Sequence, residues 1–77
     1  MTNREKLLAA RAFERVIEIV GSQTELAKLL KVKQPSVNSW KMRSQIPADR
    51  VLDIEKIVAG QVTRYEMRPD VFGESVA

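Results

Sequence analysis

The sequence predicts an all-α fold, a compact bundle of four to five helices, and three observations carry that expectation. Apolar residues recur at helical rather than alternating spacing. The three glycines and three prolines of the 77-residue chain punctuate periodic segments instead of filling low-complexity stretches. With no cysteine and no histidine, the chain has neither disulfide staples nor thiolate or imidazole metal ligands. A chain this short then folds alone only if its helices pack efficiently. One domain is expected over residues 1–72, followed by a flexible C-terminal tail at 73–77.

From Asn3 to Val20, the residues Ala9, Phe13, Val16, Ile17 and Val20 form one helical stripe, with Arg11, Glu14, Arg15 and Glu18 off it. Ile19 also lies off the stripe, as a partner contact or a partly covered edge. Gly21 closes this helix in a left-handed conformation, and Ser22-Gln23-Thr24-Glu25 has the Ser-x-x-Glu pattern of a capping box for a second helix ending near Lys31-Val32. A third helix is expected from Gln34-Pro35 to Lys41, because proline suits a first helical turn. Val37 and Trp40 face inward on it. Met42 to Gln45 show no apolar period and read as a loop. Ile46-Pro47-Ala48-Asp49 opens a fourth helix with Val51, Leu52, Ile54, Ile57 and Val58 as its buried stripe and Gly60 at its end. Thr63-Arg64-Tyr65-Glu66 is a second capping-box pattern, starting one short turn that Pro69 stops. Tyr65 and Phe72 are expected to dock the tail on the core.

The net charge of +3 is unevenly spread. Residues 1–22 carry +1. Residues 23–45, with Lys28, Lys31, Lys33, Lys41 and Arg43 against Glu25 alone, carry +4. Residues 46–77 carry −2. The opening Met-Thr-Asn-Arg-Glu-Lys lacks the apolar run of a signal peptide or membrane span, which predicts a cytoplasmic protein with no membrane partner. No metal and no cofactor is expected. Asp49, Asp53 and Glu55 lack an accompanying base, nucleophile or pocket and read as solvent-facing charge, so no enzyme is expected.

Two short helices joined by a tight turn, the second beginning in polar residues, form a helix-turn-helix. Leu26, Leu30, Val32, Val37 and Trp40 take its buried positions, and Ala27 the point where crossed helices approach most closely. Trp40 shares the Val37 stripe and is read as core rather than as a base-stacking platform. Lys33, Gln34, Ser36, Asn38, Ser39 and Lys41 point outward, with donors and acceptors suited to base edges and phosphates. The alternative is an ordinary solvated face carrying solubility charges. Aromatics make up 5% of the chain, too few for single-stranded RNA stacking.

Four segments carry a family resemblance: Val20 to Ala27, Val32 to Trp40, Ile46 to Val51, and the Val62 to Asp70 tail with its Arg-Pro-Asp. Over residues 13–73 the chain resembles the phage Cro and lambda-type repressors, and more closely the Cro-like YdaS group of prophage regulators. The resemblance implies a lambda-repressor-like fold and a sequence-specific regulator of a double-stranded DNA operator, with the helix at 34–41 in the major groove; because one such helix reaches only a few base pairs, a homodimer on DNA is expected. Gln34, Ser36, Asn38 and Ser39 would read bases; Gln23, Thr24, Lys33, Lys41 and Arg43 would hold phosphates. Trp40 followed by Ile46-Pro47 is also similar to the phage CII activators, and the YdaS likeness raises a second role, an antitoxin or protein-interaction module with a toxin or other protein partner. At the turn position usually held by glycine stands Lys31, which must adopt or avoid a left-handed conformation costing roughly 1 kcal/mol. Lys33, without the side-chain oxygen of a normal N-cap, would leave backbone N–H groups for a phosphate.

Overall fold

The computed structural model of the chain describes residues 2–73. They form α1 (Asn3–Val20), α2 (Gln23–Leu30), α3 (Gln34–Arg43), α4 (Ala48–Ile57), α5 (Arg64–Met67) and α6 (Pro69–Phe72). All six described elements are helical, as the periodicity predicts, with one more helix than expected. Residues 74–77 of the expected tail lie outside the described residues.

Local chemistry explains each boundary. Thr2 caps α1 with a complete capping box: the Glu5 N–H donates to Thr2 Oγ1 (3.1 Å) and the Thr2 N–H to Glu5 Oε1 (2.7 Å). Gly21 closes it at φ 109°, ψ −39°, outside the left-handed helical region that the sequence suggests. At Ser22 half of the predicted box forms. The Glu25 N–H donates to Ser22 Oγ (3.1 Å), while the Glu25 carboxylate turns to Lys28, 3.7 Å away.

Lys31 adopts the left-handed conformation outright, at φ 58°, ψ 40°. Its N–H donates to the Lys28 carbonyl (3.2 Å) and the Val32 N–H to that of Ala27 (3.0 Å), the paired bonds of a Schellman close. The same pattern recurs at Ser44 (φ 50°) and Ala59 (φ 53°), where glycine would be unstrained. Lys31→Gly is therefore expected to raise stability by about 1 kcal/mol, and Ala59→Gly similarly. Thermal denaturation checks this as a rise in Tm of roughly 4–8 °C.

The close at Ser44 also corrects the third helix, which runs through Met42 and Arg43. Ser44 and Gln45 donate their N–H groups to Lys41 and Trp40 carbonyls (3.1 and 3.0 Å), and the basic Lys41 and Arg43 suit the negative end of the helix dipole. In α4, Pro47 is the N-cap rather than the first helical residue, and Leu52 is 41% exposed while Val51, Ile54 and Val58 are buried. Leu52 sits about 100° around the helix from Val51, off the inward stripe.

The core gathers Phe13 and Val16 of α1, Leu26, Ala27 and Leu30 of α2, Val37 and Trp40 of α3, and Val51 and Ile54 of α4. Val62 and Met67 close it from the tail, both fully buried. Met67 is the anchor in place of Tyr65, which is exposed; Phe72 packs partly buried against the cluster. Pro69 does not merely stop α5: its fixed φ starts α6 directly after it.

Ion pairs stitch the tail down. Glu55 is no solvent-facing charge: its Oε2 accepts the Arg64 N–H at the head of α5 (2.6 Å), and its Oε1 accepts from the Arg64 guanidinium (2.9 Å). Arg15 of α1 donates to Glu66 Oε1 (2.9 Å) and to the Gln61 carbonyl (2.7 Å). Arg68, only 8% exposed, makes a two-pronged pair with Asp70 (3.0 and 2.8 Å) and donates to the Ile46 carbonyl (2.7 Å).

The Arg64 side chain holds the Glu55 carboxyl below its ordinary value, and Arg68 does the same for Asp70. Burial pushes Glu66 up, but the Thr63 N–H and Arg15 outweigh it, and its net shift is downward. A carboxyl depressed in the folded state stabilises above its unfolded pKa and loses that contribution as pH falls through its folded value. Stability should thus decline progressively between about pH 5 and pH 2. With no histidine present, no imidazole titration blurs that window. Urea midpoints measured across this range check it.

Candidate nucleic-acid interface

The Lys31-centred turn crosses α3 over α2, and the two pack on each other through Leu26, Leu30, Val37 and Trp40, with Ala27 buried at the approach. Trp40, 6% exposed, is core. Burial of Val37 and Trp40 fixes the inward direction of α3, and about 100° per residue then sets the rest. Pro35 and Met42 lie within about 10° of the outward direction, and Asn38 and Ser39 within about 50°. Gln34 and Lys41 form one flank, Ser36 and Arg43 the other, each about 90–110° from it. Asn38 and Ser39 thus sit beside the centre of the presented face. Gln34 and Ser36 approach from opposite sides of the first turn. All of these except the half-buried Ser39 are exposed.

Gln23 and Thr24 stand in the first turn of α2, beneath the Ser22 cap. The structure brings Gln23 to Lys41: both line a cleft of about 250 Å³ floored by Phe13 and Ile17 and rimmed by Glu14 and Glu18. Lys33 is the N-cap of α3 and makes no side-chain cap. The expectation of several open N–H groups there is corrected, since Pro35 has none and the Ser36 N–H donates to the Lys33 carbonyl (3.0 Å). Any phosphate at this turn is held chiefly by side chains.

The nine side chains singled out in the sequence share a second property. Among the described residues, none of Gln23, Thr24, Lys33, Gln34, Ser36, Asn38, Ser39, Lys41 and Arg43 has a side-chain hydrogen bond or ion pair within the chain. On the tail side Arg15, Arg64 and Arg68 are paired, whereas Arg11, which shares a cleft with Arg15 and Glu66, has no partner among the described residues. Three ion pairs tie the tail down, and another, Glu25–Lys28, lies on α2.

Sequence reasoning missed Pro35, Met42 and Arg68. The wheel set by Val37 and Trp40 already places the first two outward once the helix is carried past Lys41. Arg68 was visible only as part of the Arg-Pro-Asp tail.

Six helices around one core, with α2 and α3 crossed through a tight turn and α3 presented outward, define a helix-turn-helix protein of the lambda-repressor-like, Cro-like class. The model of the family described as "Bacterial toxin YdaS" matches residues 13–76. The chain belongs to the YdaS family. It is 43% identical over 61 residues to "Putative transcriptional regulator YdaS" of Escherichia coli (strain K12), covering 78% of this chain. The match spans 62% of that relative's length. It is also similar to a solved structure, the Cro protein from putative prophage element Xfaso 1 in Xylella fastidiosa strain Ann-1. The TM-score is 0.78 and the identity 42%, covering 80% of this chain and 95% of the other. Among the described residues, no helix is long and apolar enough to cross a membrane.

Proposed function

We propose that the chain is a sequence-specific, double-stranded DNA-binding transcriptional regulator of phage type, with residues 1–72 as a single DNA-binding domain. The observation that carries the reading is that nine polar side chains of α2, α3 and the turn between them have no partner among the described residues, in a segment, 23–45, that carries +4 charge. Cro-type and regulator relatives support it. α3 enters the major groove. Gln34 pairs with an adenine edge, and Asn38, Ser39 and Ser36 take neighbouring edges. Gln23, Thr24, Lys33, Lys41 and Arg43 hold the flanking phosphates. No catalytic step is involved, and the protein acts in the cytoplasm, on the nucleoid. Two copies bind an inverted repeat with half-sites roughly 10 base pairs apart, because one short helix reads too few pairs to stand out in a genome.

Selection of binding sites from random duplexes tests this, and an unenriched pool discards it. Reading and holding then separate by mutation. Gln34→Ala should cost about 1–3 kcal/mol on the selected site and relax base choice there. Lys33→Ala should weaken all sequences alike and reduce the salt slope by about one. An unchanged selected motif in Gln34→Ala overturns the assignment of α3 as the reader.

The family description as a bacterial toxin favours a second reading, a protein-interaction role in a toxin–antitoxin pair. A stoichiometric protein complex insensitive to salt, without duplex binding, would select it.

A further inference from the structure

The two outermost residues of α3 are apolar. Pro35 is exposed in its first turn, and Met42 is 75% exposed in its last, the highest value among the exposed large hydrophobics. Among the described residues, nothing gives a packing rationale for leaving this thioether chain in water at the angular centre of the presented face. The flanks are Lys41 and Arg43, with Lys33 just before Pro35 and one carboxylate, Glu25, in the whole 23–45 segment. An apolar ridge inside a cationic rim suits the apolar features of a polyanion better than another protein's apolar face.

A major groove offers one such feature, the C5-methyl group of a pyrimidine, carried by thymine and by 5-methylcytosine. Pro35 and Met42 lie seven residues apart, about 10 Å along the helix, or roughly three base-pair steps. We propose that Pro35 and Met42 form an apolar reader that selects C5-methyl groups in the groove about three base pairs apart, between the polar contacts of Asn38 and Ser39. The inference rests on the DNA-binding reading above and adds to it which chemical group the centre of α3 recognises.

The test uses the full chain and its selected duplex. Each thymine is replaced in turn by uracil, which removes only the methyl group, and each cytosine by 5-methylcytosine, which adds it. Affinities are measured by fluorescence anisotropy for the wild type, Pro35→Ala and Met42→Ala. Both residues are exposed, so the variants should keep the fold, which circular dichroism checks. For the wild type, uracil at the facing positions should weaken binding about fourfold per site, the change expected for unshielding one methyl group. Those steps should shrink toward unity in the variants, and Met42→Leu should restore the second. Steps at thymine identify thymine as the source; a gain on 5-methylation identifies methylcytosine. Either result supports the reader. Wild-type binding indifferent to every methyl group overturns it while leaving DNA binding intact, and so do methyl steps that persist undiminished in both variants. Self-association lost in Met42→Ala with an unchanged ladder of steps assigns the side chain to a second copy and overturns it. Failure to enrich any duplex removes the DNA-binding reading and this inference together.

Discussion

Arg68→Ala is expected to destabilise the protein by about 3 kcal/mol, a drop in Tm of roughly 15 °C. The guanidinium is 8% exposed and serves three acceptors, both Asp70 oxygens and the Ile46 carbonyl. Alanine leaves the Asp70 carboxylate, its side chain 20% exposed, and the buried Ile46 carbonyl without their donor, and stripping the donor from such partly and fully buried acceptors costs more than the bonds contribute. A domain of this size has roughly 5–10 kcal/mol in total, so the loss is a large share of it. Arg68→Lys should recover little, because a point charge cannot serve a two-pronged carboxylate and a carbonyl at once. Asp70→Asn should cost less, since the bond to Ile46 remains. Chemical denaturation followed by circular dichroism measures all three, and a Tm for Arg68→Ala within a few degrees of the wild type would refute the account.

Raising salt from 50 to 200 mM should weaken binding to the selected duplex by about 250- to 1,000-fold for each chain bound. Four to six phosphates neutralised per chain give a slope of log K against log[salt] of roughly −4 to −5, as condensed counterions are released. The chain supplies the cations: Lys33, Lys41 and Arg43 beside α3, and Lys31 in the turn before it, none held by an internal carboxylate among the described residues. Anisotropy titrations at four salt concentrations give the slope, and a flat response would discard phosphate contact by these side chains.

Most of the fold was legible because its determinants are local. Thr63 and Glu66 form the capping box their spacing announces, and the Ala9 to Val20 stripe faces the core as its periodicity requires. What escaped were decisions made by backbone closure or by distant partners. Met42 and Arg43 continue no inward apolar period, yet the Schellman close at Ser44 keeps them helical. Glu55 resembles any exposed carboxylate until Arg64, nine residues on, reaches it. Tyr65 was the obvious aromatic anchor, but the unbranched Met67 fills the buried slot. The candidate interface was legible as a set of residue types, while their angular order around α3 depended on knowing where that helix ends. Pro35 and Met42 could then be seen as its crest.

The bond from Arg68 to the Ile46 carbonyl ties the last helices to the segment just after α3, and Arg15 meets Glu66 across 51 positions of chain. Completion of the core during synthesis therefore waits for residues 62–70. With α1, α2, α3 and α4 already outside the ribosome, Val62 and Met67 are still missing from the core and the α3–α4 loop lacks its buried donor. The loop after α3 lacks that donor until Arg68 has been made. At synthesis rates of roughly 5–20 residues per second, that delay after Arg43 is made lasts a few seconds. The face that would meet a polyanion is thus set only once residues 62–70 are in place, so products ending before them would carry its charges without its geometry.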